Sequence, residues 1–211
     1  MHTRLLALAV TALAVAGCSG GGNVAQLSYT DPPPYTPGWR LVKNASSTPT
    51  RLVLDLVGPG DKSRGVGFNL QADPRLRFVP LDDGMPVHDT GVFELRSLLP
   101  DTDVPADLGE PVYFAGGVMP GNVLTVGIFQ KDRGVSAKST NLPVLSIALE
   151  VAPGGQPGPL ALSVLKARAI PEDIGGTVNG GYDPQAVLPP QVIAKSHLQP
   201  IHIAVGNLQV N

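Results

Sequence analysis

Four kinds of residue in this 211-residue chain have the chemistry for a functional site: one thiol, one acidic cluster, a few histidines and two serine–lysine pairs. The only cysteine, Cys18, closes the tetrapeptide Val15-Ala16-Gly17-Cys18. It follows an apolar run from Leu5 to Ala16, broken only by Thr11, behind a basic start at His2 and Arg4. That run suits a secretory signal and is too short to span a bilayer, which takes roughly 20 apolar residues. Asp101, Asp103, Asp107 and Glu110 form an acidic loop, which Asp82-Asp83 could join in space. An EF-hand would need a ligand at Pro105 and a glycine after it, and neither is present. The loop is expected to be solvated, with a partner or calcium contact as its functional alternative.

The histidines outside the expected signal are His88, His197 and His202. His197 and His202 are five apart and would face opposite sides of one strand, so no metal site is predicted. His202, between Ile201 and Ile203, is expected on an outer strand face. No Gly-x-Ser-x-Gly elbow occurs. Ser136-Ala137-Lys138 and Ser163-Val164-Leu165-Lys166 do occur, but the second lies in an expected strand that would place its serine and lysine on opposite faces. Gly65-Val66-Gly67 lacks the further glycine and the helix of a phosphate loop. The expectation is a non-enzyme without a catalytic residue, metal or cofactor.

The small residues before Cys18 resemble the lipobox of bacterial lipoproteins. The resemblance implies removal of residues 1–17, attachment of acyl chains such as palmitate at Cys18, and a lipid anchor in the membrane. Two or three chains hold far more firmly than one, at about 0.8 kcal/mol per buried CH₂. Ser19 follows the cysteine where an aspartate would resemble an inner-membrane retention signal, so the outer membrane is expected, with the folded part in the periplasm or at the cell surface. The alternative is an ordinary signal peptide with an incidental cysteine.

The remaining residues must form the element that such an anchor would display. With 25 glycines and 22 prolines, long helices are not expected, because each proline removes an N–H and clashes with the preceding turn. A net charge of −2 gives no basic face for nucleic acid. Residues 18–38 are expected to be a tether, flexible at Gly20-Gly21-Gly22 and stiff at Asp31-Pro32-Pro33-Pro34, with Trp39 opening a domain over 39–211. Period-two alternation then marks strands at Leu52/Leu54/Leu56, Val66/Phe68/Leu70, Leu76/Phe78, Phe93/Leu95, Leu124/Val126/Ile128, Leu145/Ile147/Leu149, Leu160–Arg168 and Ile201–Val210, with Val112–Val118 weaker. Phe68, Phe78, Phe93 and Phe129 read as core. About nine strands without an amphipathic helix predict an all-β antiparallel sandwich. The stretch from Ile170 to Gln199 reads as a long excursion between the last two strands.

Three stretches resemble cohesin domains and the carbohydrate-binding-module-like sandwiches that share their fold. They are Arg64-Gly-Val-Gly-Phe-Asn-Leu-Gln-Ala-Asp-Pro-Arg-Leu-Arg-Phe78, the pair Leu145-Ser-Ile-Ala-Leu-Glu-Val151 with Leu160-Ala-Leu-Ser-Val164, and Ile203-Ala-Val-Gly-Asn-Leu-Gln-Val210. The segment after Asp73-Pro74 is one residue shorter than the family pattern, and no partner-binding position matches residue by residue. The resemblance implies a nine-stranded jelly-roll and non-catalytic binding of a protein or carbohydrate, without implying a dockerin partner. With aromatics at 5% of the chain, a flat tryptophan-lined sugar platform is not expected. The alternative function is a structural or assembly subunit of an envelope machine.

Replacing Cys18 by Ser is expected to leave an unprocessed or soluble protein. Membrane fractionation of the variant checks this, and a variant that partitions like the wild type contradicts the anchor.

Overall fold

The computed structural model describes residues 25–33, 38–82, 84–93, 112–130, 137–172 and 198–211. Among these the chain is all-β. In chain order the strands are β1 (Leu27–Thr30), β2 (Trp39–Lys43), β3 (Arg51–Val57), β4 (Lys62–Ala72), β5 (Leu76–Phe78), β6 (Val87–Asp89), β7 (Val112–Met119), β8 (Val123–Gln130), β9 (Lys138–Ser139), β10 (Pro143–Val151), β11 (Gly158–Leu160), β12 (Leu162–Pro171), β13 (Gln199–Pro200), β14 (Ile203–Ala204) and β15 (Asn207–Val210).

A first sheet runs β14-β2-β3-β10-β5, with β6 also on β10. A second runs β13-β12-β4-β8-β7, with β9 also on β4, and a small third runs β1-β15-β11. The pairings are antiparallel except β14 with β2. Alternation supplies the inward faces: Leu54, Leu56, Leu145 and Ile147 from the first sheet, Phe68, Leu70, Leu124 and Ile128 from the second. Leu27, Tyr29, Leu160, Leu208 and Val210 of the third sheet belong to the same buried cluster. Two facing sheets over one core, with the third along their margin, are consistent with a β-sandwich.

The first sheet is buried on both faces at β3. Leu52, Leu54 and Leu56 point into the main core, while Val53 packs with Val79 and Ala148 in a second cluster. The chain between β5 and β6 makes this second layer, with the Val79 amide bonding to the Ala148 carbonyl and the Ala148 amide to Pro86. Asp55 shares that outer face and is buried, accepting from Asn44 Nδ2 at 2.7 Å and Ser146 Oγ at 2.6 Å.

Several expected elements take a different form. Within 18–38, the expected tether, Leu27–Thr30 is a strand and Tyr29 is buried, so the fold reaches in sequence ahead of Trp39. The expected strand Leu160–Arg168 divides at Ala161, β11 joining the third sheet and β12 the second. Ile201–Val210 divides likewise into β14 and β15. Phe93 is fully buried but lies in a turn, and Leu95 lies outside the described residues. Phe129 is half-buried on the outward register, opposite Gly65. A Cβ at Gly65 would collide with Phe129, so the pairing requires glycine there.

Phe68 is 3% exposed at the centre of the second sheet. Phe68→Ala is expected to cost about 3–5 kcal/mol of folding free energy. Denaturant unfolding checks this, and a variant that unfolds like the wild type contradicts the core assignment.

Candidate functional site

Cys18, Asp101, Asp103, Asp107, Glu110 and His197 lie outside the described residues. Among the described residues, no group of three His, Cys, Asp or Glu side chains converges as a metal site. His202 is exposed, in the connection between β13 and β14. Ser163 and Lys166 correct the sequence reading. Ser163 pairs with Gln71, Val164 with Leu70 and Lys166 with Asn69, so Leu165 is an extra residue bulged from the ladder. The bulge returns Lys166 to the face of Ser163, although no hydrogen bond joins the two.

Several polar interactions fasten strands and turns to one another. Tyr29 Oη donates to the Leu41 carbonyl at 3.0 Å and accepts the Gly206 amide at 2.7 Å. Burial pushes its phenol up to about 12, against the opposing effect of the Gly206 amide. At the Asp73-Pro74 turn, Asp73 accepts from the Arg75 amide at 2.9 Å, from Arg75 Nε at 3.0 Å and from Arg75 Nη2 at 2.9 Å. The Ala161 amide adds a longer bond at 3.4 Å. The Arg75 guanidinium hydrogen bonds hold this carboxyl well below the usual carboxylate range, overriding its desolvation. Arg75 Nη2 also donates to the Pro159 carbonyl at 2.6 Å. Asn122 Nδ2 lies 3.0–3.2 Å from the carbonyls of Ala72, Asp73 and Leu76. The turn is thus fastened both to the β11–β12 junction and to the β7–β8 turn.

Asp89, on β6, was not singled out by the sequence. Burial raises its carboxyl above the usual range, opposed by the Gly91 amide, the His88 charge and the Thr90 amide. Its Oδ1 is buried without a hydrogen-bond partner among the described residues.

Among the described residues, one candidate ligand site is the margin where the second sheet approaches β14. β12 pairs with β4 along its length but with β13 only at Arg168 and Ala169. The Ala167 carbonyl takes the Ile201 amide at 3.2 Å. Among the described residues, no strand pairs with Leu162–Lys166 on the side away from β4. A groove of about 520 Å³ runs along this edge, between β12 and the chain from Pro200 to Val205. A second, of about 530 Å³, adjoins it and shares Leu162, Ser163 and Val205.

The bulge leaves Leu165 56% exposed on the rim of the first groove. Lys166, Arg168 and His202 also line that groove, and none of its described lining residues is acidic. Arg168 is anchored by a 3.4 Å bond from Nη1 to the Leu198 carbonyl. Such an edge offers backbone N–H and C=O groups, an apolar contact and positive charge to an incoming chain. Sequence pattern hid it because a bulge has no residue signature here and the groove joins segments distant in sequence.

Asp73, with its side chain 13% exposed, gives the structure a defined pH response. Because its folded pKa is depressed, its stabilisation is present above the unfolded value of about 3.9 and is lost as pH falls below it. Asp73→Asn is therefore expected to lower the melting temperature at neutral pH, with the gap from wild type shrinking below about pH 4. Melting curves across that range check this, and a gap independent of pH contradicts the assigned ion pair. Compared with protein-family models and with curated proteins, the chain matches none significantly.

Proposed function

We propose that this chain is a lipid-anchored, non-catalytic binding module of the cell envelope. Its Cys18 lipid holds it at the outer membrane, and a cohesin-like jelly-roll sandwich of about nine strands presents a surface to a protein or carbohydrate partner. The observation that carries this reading is the groove beside the open edge of β12, rimmed by Leu165, Lys166 and Arg168. The best-defined polar clusters elsewhere, around Tyr29, Asp55 and Asp73, are engaged in joining strands and turns. Recognition by a sheet edge and its flanking side chains needs no chemical centre. The acidic loop containing Asp101, Asp103, Asp107 and Glu110 enters the proposal as an auxiliary contact, on its charge density alone.

A structural or assembly subunit is the second reading. The observation that favours it is the exposed apolar pair Val118 and Met119, 50% and 56% exposed at the end of β7.

The test displays the full chain on vesicles through its lipid and offers envelope extract and a panel of glycans. Saturable capture of one protein or one glycan is expected. Replacing Asp101, Asp103 and Asp107 together by Asn is expected to weaken that capture at an unchanged melting temperature. Self-association without capture, measured by sedimentation, selects the subunit reading. Hydrolysis of a glycan or ester that one substitution abolishes overturns the non-catalytic reading.

A further inference from the structure

We propose that the open edge of β12 docks an extended, carboxylate-rich peptide segment of a partner protein, which pairs with Leu162–Lys166 as an added strand and sets its carboxylates against Lys166, Arg168 and His202. The inference rests on the binding-module reading and names the partner's chemistry.

Three independent observations point to this occupant. The first is backbone chemistry. β12 has a strand partner on one side over Leu162–Lys166 and, among the described residues, none on the other. An edge of this kind is a template for another strand, with main-chain hydrogen bonds supplying affinity. Five residues at about 3.3 Å each offer roughly 16 Å of edge, the length of a short strand.

The second is charge. The chain carries a net charge of −2, yet the described residues lining this groove include Lys166, Arg168 and His202 and no aspartate or glutamate. A peptide with carboxylates on alternate residues would place them along one side of the added strand, facing the Lys166 and Arg168 cations. A second copy of this chain paired antiparallel over Leu162–Lys166 would set Lys166 opposite Leu162 and, among the described lining residues, bring no carboxylate to either cation.

The third is shape and apolar chemistry. The bulge sets Leu165 outside the ladder beside the edge, where an apolar residue of the peptide can cover it. No described residue lining the groove is Phe, Tyr or Trp. Stacking of a sugar ring on an aromatic face, the usual apolar contribution to glycan binding, is therefore not offered by those residues.

Fluorescence anisotropy with the full-length chain tests the proposal, using a labelled short peptide that alternates valine and glutamate. Its controls carry glutamine or lysine in place of glutamate, or N-methyl groups on one or the other alternate set of backbone amides. The glutamate peptide is expected to bind, the glutamine peptide about tenfold more weakly or worse, and the lysine peptide not at all. Because only alternate amides of a strand face the edge, one N-methylated peptide should lose binding and the other keep it.

Lys166→Glu combined with Arg168→Glu should reverse the preference toward the lysine peptide, a gain that misfolding cannot produce. Absence of glutamate-peptide binding, equal effects of the two N-methylated sets, or an unchanged preference in the double variant overturns the inference. So does saturable binding of polygalacturonate in place of the peptide, which would make the groove a site for acidic glycans. If the double variant still captures the envelope partner and the peptide does not bind, this inference falls and the binding-module reading stands. If neither peptide nor partner binds, both fall.

Discussion

Tyr29 stands where strands pass from one sheet to another, and its hydroxyl closes the join. β14 lies beside β2 in the first sheet, and two residues later β15 lies between β1 and β11 in the third. Such a switch interrupts the ladder and leaves main-chain groups that need another partner when buried. One phenol serves two of them, donating to Leu41 and accepting from Gly206. The approach is close enough that a Cβ at Gly206 would collide with the Thr30 carbonyl oxygen. The third sheet can then add Leu27, Leu208 and Val210 to the common core, where a loose margin would expose them. Burial of those apolar groups is the nondirectional driving force, while the Tyr29 bonds select where the strands cross.

A second fastening sits where β11 gives way to β12. Asp73 reaches the Ala161 amide between the two strands, and Arg75 reaches the Pro159 carbonyl just before it. Asn122 joins the same turn from the β7–β8 connection, with φ at 57°. Asparagine tolerates this left-handed conformation better than most residues, and its amide group supplies the donors. These contacts determine where β12 begins, and hence which of its residues are presented along the groove.

The consequence for function is a division between fastened and open margins. Carbonyls at the two strand junctions are engaged by Tyr29, Arg75 and Asn122, whereas Leu162–Lys166 keep one side without a strand partner among the described residues. The bulge at Leu165 also limits how this edge can be used. Bulges twist a strand and disturb its register, a common defence against indiscriminate edge pairing. An edge that is bulged and cationic suits a short segment of opposite charge better than a long neutral strand, in keeping with the proposed partner.

How much was legible in the sequence follows from the range of the forces involved. Alternation at Leu52–Leu56, Val66–Leu70, Leu124–Ile128 and Leu145–Leu149 is local, so the sequence by itself determined the all-β character of the described residues and much of their core. The same local pattern also ran straight through Ala161 and through Val205-Gly206, where the structure changes sheets, because side-chain alternation carries no information about which strand lies alongside. Phe129 looked like core for the same reason, until pairing with Gly65 set its face. The second cluster at Val53 required the chain after β5 to bring Val79 and Leu81 against it, a contact between distant segments. Only the tertiary structure brought β12 and the Pro200–Val205 segment together, gathering Lys166, Arg168 and His202 along one groove. Their spacing in sequence has no periodicity that would announce it. Long-range backbone pairing places these side chains; local propensity does not.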